Sequence, residues 1–475
     1  MKKIIIIGAG ITGLSTGIHA LLKGHQVEIY EKNETCGGCC GGWYRNNVYI
    51  DNCMHWLTGT NQHTPLFKLW KKIGAIDETS NLYQGEYFYK SSYQGQSIAL
   101  YSDTEKVRNE MLRLSPEDRK EIDRFIDVVN HFIIINKKEN IIKSLYNKTS
   151  GFSKGLLKYH RISLEEYSNK FKHPLLKKLF TDYIPGSYST LALIYSYATF
   201  ASGNGKIYNK GSLTFSKNIE KKFLDLGGTI NYKCEVTKIN IENNKFDSII
   251  VNDKIIKGDI LISCIDAYYL FNKLLNSDKL PKILNNKKNY KKDNPIVSSY
   301  HCAFLINKKD LPIKDTEVLE IPKTQIGLSS INRLVLKEYS YLHQNDEKVV
   351  IQAFIIQNMV DYDFWHHLQS NNYNEYSSTK KNIGYKIIDI LSEKYPNLKN
   401  NIELLDTWTP ITYNEYFNSY YGSYMGYVLS KKEPFRRLSP KIPNLKNIYY
   451  LSYWQNNTGG LPTAALLGES ISKYL

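Results

Sequence analysis

Three glycines near the start of the chain have the spacing of a turn that binds phosphate groups. Gly8, Gly10 and Gly13 form the pattern G-x-G-x-x-G directly after a β-branched apolar run. The first glycine permits the tight turn, the second lets a pyrophosphate approach the backbone, and the third lets a helix pack on a strand. The N-terminus of that helix offers free N–H groups and a partial positive charge to phosphates.

The sequence on both sides of these glycines predicts the strands and the helix that position them. Residues 2–7 predict a buried strand, apolar residues then recur at helical spacing over 11–21, and 26–30 predict a second strand ending at Glu31. A carboxylate at that strand end hydrogen-bonds a ribose 2′-OH and repels a 2′-phosphate. A glycine motif alone is weak evidence for nucleotide binding, but this motif between two predicted strands and before a helix predicts dinucleotide binding. The residues assigned to it are Gly8, Gly10, Gly13, Leu14, Glu31 and Lys32.

A second glycine pair favours FAD over NAD as the dinucleotide. Gly37 and Gly38 lie six residues beyond Glu31 and are followed by Cys39. An acid and then a glycine pair resembles the extended FAD signature of the glutathione-reductase-related flavoproteins. No second nucleotide-binding motif follows, so NAD(P) stays open only as an electron donor. We expect one FAD per chain, bound non-covalently.

From end to end, the sequence resembles the phytoene desaturase-like and retinol saturase-like flavoproteins, which are related more distantly to amine oxidases. The stretches that carry the resemblance are GAGITGLSTG (8–17), EKNETCGGCCGGW (31–43), YIDNCMHWLTGT (49–60), 203–239, 407–426 and 449–471. One departure is Cys39, where many members have Arg after the glycine pair, which puts one flavin or phosphate contact in doubt.

The resemblance implies an α/β fold with a Rossmann-like, glutathione-reductase-type FAD-binding domain and a discontinuous α+β substrate domain. The FAD-binding domain is expected from 1–85, 205–275 and 440–475, and the substrate domain from 86–204 and 276–439. Val236 would contact the adenine through its backbone. Gly459, Gly460 and Leu461 would meet the flavin ring, with Pro462 as the first residue of a last helix aimed at it.

The same resemblance implies an FAD-dependent oxidoreductase acting on C–C or C=C bonds of an apolar polyene or lipid-like substrate. Desaturation, saturation and isomerisation stay open. His55 and Tyr413 are the candidate catalytic residues, and Tyr416 is a further residue of the pocket. Two alternatives remain: a flavin amine oxidase with an aromatic cage from 413–427, and a redox-neutral isomerase or binding protein that uses FAD structurally.

The composition of the chain limits the classes of molecule that it is expected to bind. The chain of 475 residues carries a net charge of +16, which favours anionic partners, but no nucleic-acid-binding module is present. Residues 136–161 hold seven Lys/Arg and one acid among apolar residues, which predicts either peripheral association with anionic membranes or a solvated cap over the cavity. Without an export signal or a membrane-spanning run, the expected location is the cytoplasm or the inner face of the membrane.

The cysteines and histidines are alternative candidates for a redox or metal centre. Seven cysteines in a large, unexported chain do not predict a disulfide framework. Cys36 and Cys39 have a redox spacing, but they lie inside the glycine segment. No metal site is predicted, because neither the cysteines nor His366 and His367 have a known ligand spacing.

Overall fold

The computed structural model describes residues 1–138, 158–275, 279–288, 296–344, 346–432, 437–456 and 458–475. Most of the basic segment 136–161 therefore lies outside the described residues, and the membrane prediction stays a prediction.

A five-stranded parallel sheet forms the nucleotide-binding half. Its strands lie in the order Thr229–Asn231, Gln26–Tyr30, Lys3–Ile7, Ile260–Ser263 and Ile448–Tyr450. Ile4, Ile5 and Ile6 of the central strand are fully buried, as expected for a parallel strand covered on both faces. The helix Ile11–Leu21 packs against Gly211–Asp225 and the C-terminal helix Gly460–Ser470.

Small antiparallel units surround this sheet. Val236–Glu242, Lys245–Val251 and Lys254–Lys257 form a meander. Gly42–Arg45 and Val48–Asp51 form a hairpin, and Gly205–Tyr208 lies between Leu57–Thr58 and Leu82–Tyr83. The hairpin matters most for the site, because it leads the chain from the glycine pair to His55.

A seven-stranded mixed sheet forms the other half. Its order is Ile402–Trp408, Ser298–Asn307, Lys348–Gln357, Ser329–Glu338, Thr316–Ile326, Tyr87–Tyr93 and Gln96–Tyr101. Only the pair between Thr316–Ile326 and Tyr87–Tyr93 is parallel. Ser298–Asn307 is buried along nearly its whole length, so its side chains reach the core on both faces of the sheet.

Helices cover both faces of the mixed sheet. One apolar core joins it to Thr104–Leu114, Arg119–Lys138, Leu164–Ser168, Pro174–Thr181 and Thr190–Ala201. A second core joins it to Met359–Asn371 and Tyr373–Lys394. The described part of the chain also contains the α-helices Pro65–Lys72, Ala267–Tyr269, Lys282–Lys288 and Pro410–Phe417. Within the described parts of the chain, no helix is long and apolar enough to cross a bilayer.

The predicted fold class, α/β with a Rossmann-like domain, is confirmed by this architecture. The parallel strands come from three separated stretches of sequence, while the domain boundaries themselves stay a prediction. One detail of the prediction is wrong: the last helix begins at Gly460, so Pro462 is its third residue rather than its first. A proline is tolerated there because the first-turn N–H groups have no partner within a helix.

Candidate functional site

One cavity of about 550 Å³ runs between the parallel sheet and the mixed sheet. At one end it is lined by the first glycine turn, the Glu31 strand end, the glycine pair and Val236. At the other end lies an apolar space that we call the inner chamber. Its walls include His55, Trp56, Tyr183, Tyr188, Tyr195, His301, Phe354, Tyr413 and Tyr424.

The glycine turn has the geometry that a phosphate cradle needs. Gly8 has a φ of +97°, and a Cβ added at Gly13 would stand 1.9 Å from the Gly8 carbonyl oxygen. Gly13 is therefore required by the packing of helix on strand. A Cβ at Gly10 would meet nothing closer than the Gly37 oxygen at 3.9 Å, so Gly10 leaves open space on the cavity wall.

Two helices begin at this cavity without a capping side chain. Gly10 precedes Ile11–Leu21 and Gly459 precedes Gly460–Ser470, and neither N-terminus has a side-chain hydrogen bond. The first residues of both helices, through Thr12 and Ala464, line the cavity. Their free N–H groups and partial positive charges suit anionic or electron-rich groups of a bound molecule.

Glu31 is fixed at the wall by backbone hydrogen bonds. Its carboxylate accepts from Ala9 N at 2.8 Å and from Asn33 N at 2.9 Å, and it is 7% exposed. Carboxylate oxygens accept more than one hydrogen bond each, so acceptor capacity remains for hydroxyl groups. Lys32 also lines the cavity, but its ammonium donates to the Glu415 carbonyl and to Asn418 Oδ1. Burial lowers the pKa of Lys32.

The glycine pair folds back onto the first turn. Gly37 N donates to the Ala9 carbonyl at 2.9 Å, and Gly37 has a φ of +104°. Cys39 follows on the cavity wall, where burial raises its pKa to about 12. Leu14 is not brought to the cavity: its side chain is fully buried in the core, and its N–H donates to the Gly10 carbonyl.

His55 stands in the inner chamber as a neutral imidazole. Its Nδ1 lies 3.1 Å from the Tyr183 hydroxyl, and its ring lies edge-on to Phe354 at 4.9 Å. Burial, with the nearby Lys337 ammonium, lowers the pKa of His55 to about 3. His55 is therefore suited to accept or donate a hydrogen bond in its neutral form rather than to act as an imidazolium acid.

Tyr413 lies on the same chamber wall, and its hydroxyl hydrogen-bonds with residues from separate parts of the chain. It donates to Asn52 Oδ1 at 3.2 Å and accepts from Trp408 Nε1 at 3.2 Å. Burial raises the pKa of Tyr413 far above its usual value. Tyr416 does not lie with it: its side chain is 56% exposed, and its carbonyl accepts from Asn33 Nδ2 at the Glu31 end of the cavity.

His301 is a chamber residue that sequence reasoning missed. Its Nε2 lies 2.6 Å from Ser299 Oγ and 3.3 Å from the Tyr413 hydroxyl, and its ring stacks on Trp408 at 4.7 Å. Burial lowers its pKa to about 3. No motif marks His301, because it is one buried residue in a continuously buried strand.

Few charged side chains line the cavity. Among the described residues that line the cavity, those with formal charge are Glu31, Lys32, Glu235 and Asp266. Asp266, also missed from sequence, accepts from Trp454 Nε1 at 2.6 Å and from the Tyr453 hydroxyl at 2.7 Å. Burial raises the pKa of Asp266. The described residues contain no cluster able to hold a metal ion, and His366 and His367 are exposed.

Comparison with known proteins relates the chain to oxidoreductases. The family described as the NAD(P)-binding Rossmann-like domain matches residues 6–73. The 1-hydroxycarotenoid 3,4-desaturase of a Flavobacterium species is 26% identical over an alignment of 305 positions, which covers 59% of this chain and 60% of that enzyme. The chain thus spans less than two thirds of that relative's length. The 4,4′-diapolycopene oxygenase of a Methylomonas species is 22% identical over 99% of this chain and 97% of that one. Prolycopene isomerase of Daucus carota is 22% identical over an alignment that covers 87% of this chain and 70% of that enzyme.

Solved structures share the fold over the whole chain. An oxidoreductase from Methanosarcina mazei has a TM-score of 0.63 at 17% identity, covering 99% of this chain and all of that one. A variant of putrescine oxidase has a TM-score of 0.62 at 13% identity, and the match covers 100% of this chain and 98% of that one. The predicted resemblance is confirmed in that the sequence of this chain is similar to carotenoid desaturases and its fold is shared with putrescine oxidase.

Proposed function

We propose that this relative of the carotenoid desaturases binds FAD non-covalently along its cavity and exchanges hydrogen between the flavin and a C–C or C=C bond of an apolar polyene or lipid-like substrate. The observation that carries the proposal is the continuity of the cavity. A single space joins a phosphate-binding turn and a ribose-binding carboxylate to an aromatic chamber without lining carboxylates among its described residues.

The chain's residues fit the cofactor at several points. Gly10 leaves room where a pyrophosphate would approach, and Glu31 retains acceptor capacity for ribose hydroxyls. The N-terminus of Gly460–Ser470 would stabilise negative charge at the edge of a flavin ring. When bound, the flavin supplies the hydride acceptor or donor for the reaction.

The inner chamber would hold and orient the substrate. Aromatic and aliphatic walls exclude water, which would compete for a reactive carbanion or cation. His55 and Tyr413 sit among hydrogen-bonding partners within this wall. As neutral groups, they would orient the substrate and pass a proton only through hydrogen-bonded neighbours.

An amine oxidase is the second candidate, and one observation favours it. The rings of Tyr413 and Tyr424 lie 5.5 Å apart and form an aromatic pair on the chamber wall. An amine substrate reacts with release of peroxide, whereas a polyene would change its absorption spectrum. An isomerase, as the carrot relative is named, would convert a polyene without net use of an acceptor.

Anaerobic spectroscopy of the purified protein tests the proposal. Denaturation should release a yellow chromophore with the mass of FAD, one per chain. Bleaching of the bound flavin by a polyene with few conjugated double bonds indicates desaturation, and reoxidation of pre-reduced flavin by a more conjugated polyene indicates saturation. NADPH is tested separately as a donor, and amines are tested for peroxide release. A colourless protein that cannot be reconstituted with FAD contradicts the proposal.

A further inference from the structure

The hairpin at the cavity brings two cysteines opposite each other. Its register pairs Gly42 with Asp51. The ladder continues beyond both strands, because Asn52 N donates to the Gly41 carbonyl at 3.0 Å. Carried one residue further, the same register sets Cys40 opposite Cys53.

This position suits a cross-strand disulfide. In an antiparallel ladder, a hydrogen-bonded pair is followed by a non-hydrogen-bonded pair, whose Cα atoms lie about 4.5 Å apart. Disulfides span Cα separations of about 4.4–6.8 Å. Opposite residues also project to the same face of a ladder, so the two side chains face each other.

The two thiols lie close enough to interact. The Cys40 thiol, together with burial, raises the pKa of Cys53 well above its ordinary value. The Cys40 thiol also donates to the Ser212 carbonyl at 3.7 Å. Cys40 is 2% exposed and Cys53 is partly exposed, so a small oxidant in solvent reaches the pair through Cys53.

The cavity gives this pair its oxidant. Cys40 and Cys53 both line the space that also contains Gly459, Gly460 and His55. A flavin bound there would share that space with both sulfur atoms. The pair differs from Cys36 and Cys39, the two that the sequence spacing singles out: Cys36 is buried, next to Tyr232 and Glu220.

We propose that Cys40 and Cys53 form a reversible disulfide that acts as a second two-electron carrier beside the flavin site, an inference that rests on the proposed FAD binding. On oxidation, the two S–H bonds break and one S–S bond forms. The two electrons and two protons released are taken up by oxidised flavin, which becomes reduced flavin. In reverse, the S–S bond opens as the sulfurs take two electrons and two protons from reduced flavin.

Such a pair gives the flavin an electron partner that needs no second dinucleotide site. None is evident in the sequence beyond residues 8–38. The reduced pair would hold the two electrons of one turnover next to the substrate chamber, and the flavin would receive them when the disulfide forms.

Redox titration of the holoprotein tests the pair. The protein is oxidised with diamide, desalted and titrated anaerobically with dithionite while flavin absorbance is followed. Wild type should take up about four electron equivalents per flavin, because a disulfide and a flavin are each two-electron couples. Cys53→Ser should take up about two. Cys36→Ser is the matched control and should retain the wild-type uptake.

Thiol counting provides a readout that does not depend on the flavin or on any variant. After denaturation and alkylation, oxidised wild type should carry five modified cysteines, seven less the two joined. Mass spectrometry should find the Cys40 peptide linked to the Cys53 peptide. Uptake of about two equivalents with seven alkylated cysteines overturns the proposal, as does loss of the extra uptake in Cys36→Ser but not in Cys53→Ser. If the protein binds no FAD, the proposed function fails, while thiol counting on the diamide-treated protein still decides whether the pair forms.

Discussion

Replacing Gly10 with alanine should abolish tight FAD binding while leaving the fold intact. Gly10 has a φ of −69°, which alanine adopts freely. A Cβ there would have no protein atom closer than 3.9 Å. The apoprotein should therefore keep its stability or gain about 0.4–1 kcal/mol, as a strain-free Gly→Ala change does.

The Gly10→Ala substitution should weaken FAD binding without destabilising the protein. The added methyl group would occupy the space into which a pyrophosphate must approach the backbone. Inserting a methyl into a well-packed contact costs about 1–3 kcal/mol. At about 1.4 kcal/mol per tenfold change, this weakens FAD binding roughly 5- to 150-fold.

Gly13→Ala provides the contrast that makes this test sharp. Its Cβ would stand 1.9 Å from the Gly8 carbonyl oxygen, so it should destabilise the protein itself. Apoprotein is prepared from each variant, titrated with FAD by fluorescence quenching, and unfolded with urea without cofactor. The reasoning is refuted if Gly10→Ala binds FAD as tightly as wild type, or if it destabilises the apoprotein as much as Gly13→Ala.

Four further outcomes are expected. Glu31→Gln should weaken FAD binding by about 1–3 kcal/mol, because a charge-assisted acceptor for ribose is lost; calorimetric titration of the apoprotein checks this. His55→Ala should leave FAD content intact and slow flavin reduction or reoxidation by substrate in stopped-flow; an unchanged rate would leave His55 with only a supporting role. His301 has a folded pKa of about 3, below its unfolded value of about 6.5, so the unfolded state binds the extra proton between these values and stability falls as pH drops below 6.5. His301→Phe should therefore lose about 2 kcal/mol less than wild type between pH 7 and pH 5 in urea unfolding. Residues 136–161 should confer salt-sensitive binding to anionic vesicles, since each basic residue near such a surface contributes about 1 kcal/mol; equal sedimentation with neutral vesicles would favour the cavity-cap interpretation.

The parallel sheet and its glycine turn were predictable because their signals are local. The run of isoleucines, the glycine spacing and Glu31 lie within one stretch of chain, and each residue type has a specific backbone or hydrogen-bonding role. The strand at 26–30 is found within the predicted bounds. The start of the last helix was misplaced because a proline is allowed anywhere in a helical first turn, so its position does not fix the first residue.

The inner chamber was less predictable, because its residues meet only in three dimensions. Tyr413 was identified through its motif, but Tyr416, three residues later, is exposed, and its backbone carbonyl accepts from Asn33 Nδ2. His301 and Asp266 carry no local signal and became visible only through burial and their partners. The Cys40 and Cys53 contact depends on hairpin register, since thirteen positions separate the two residues and spacing alone cannot show which cysteines are opposite.

The electrostatics of the inner chamber favour an uncharged substrate over an amine. Both histidines there have a pKa of about 3 and are neutral near pH 7. The carboxylates that line the cavity in the described chain belong to its nucleotide end or, like Asp266, already accept several hydrogen bonds. A protonated amine would therefore lose its hydration without gaining an ionic partner, at a cost of several kcal/mol. The positive charge of the amine would also be repelled by the buried Lys337 ammonium near His55. A polyene incurs no such desolvation cost and gains contact with every aromatic wall. This difference in desolvation, more than any single residue, is the physical reason to prefer carbon–carbon chemistry for this site.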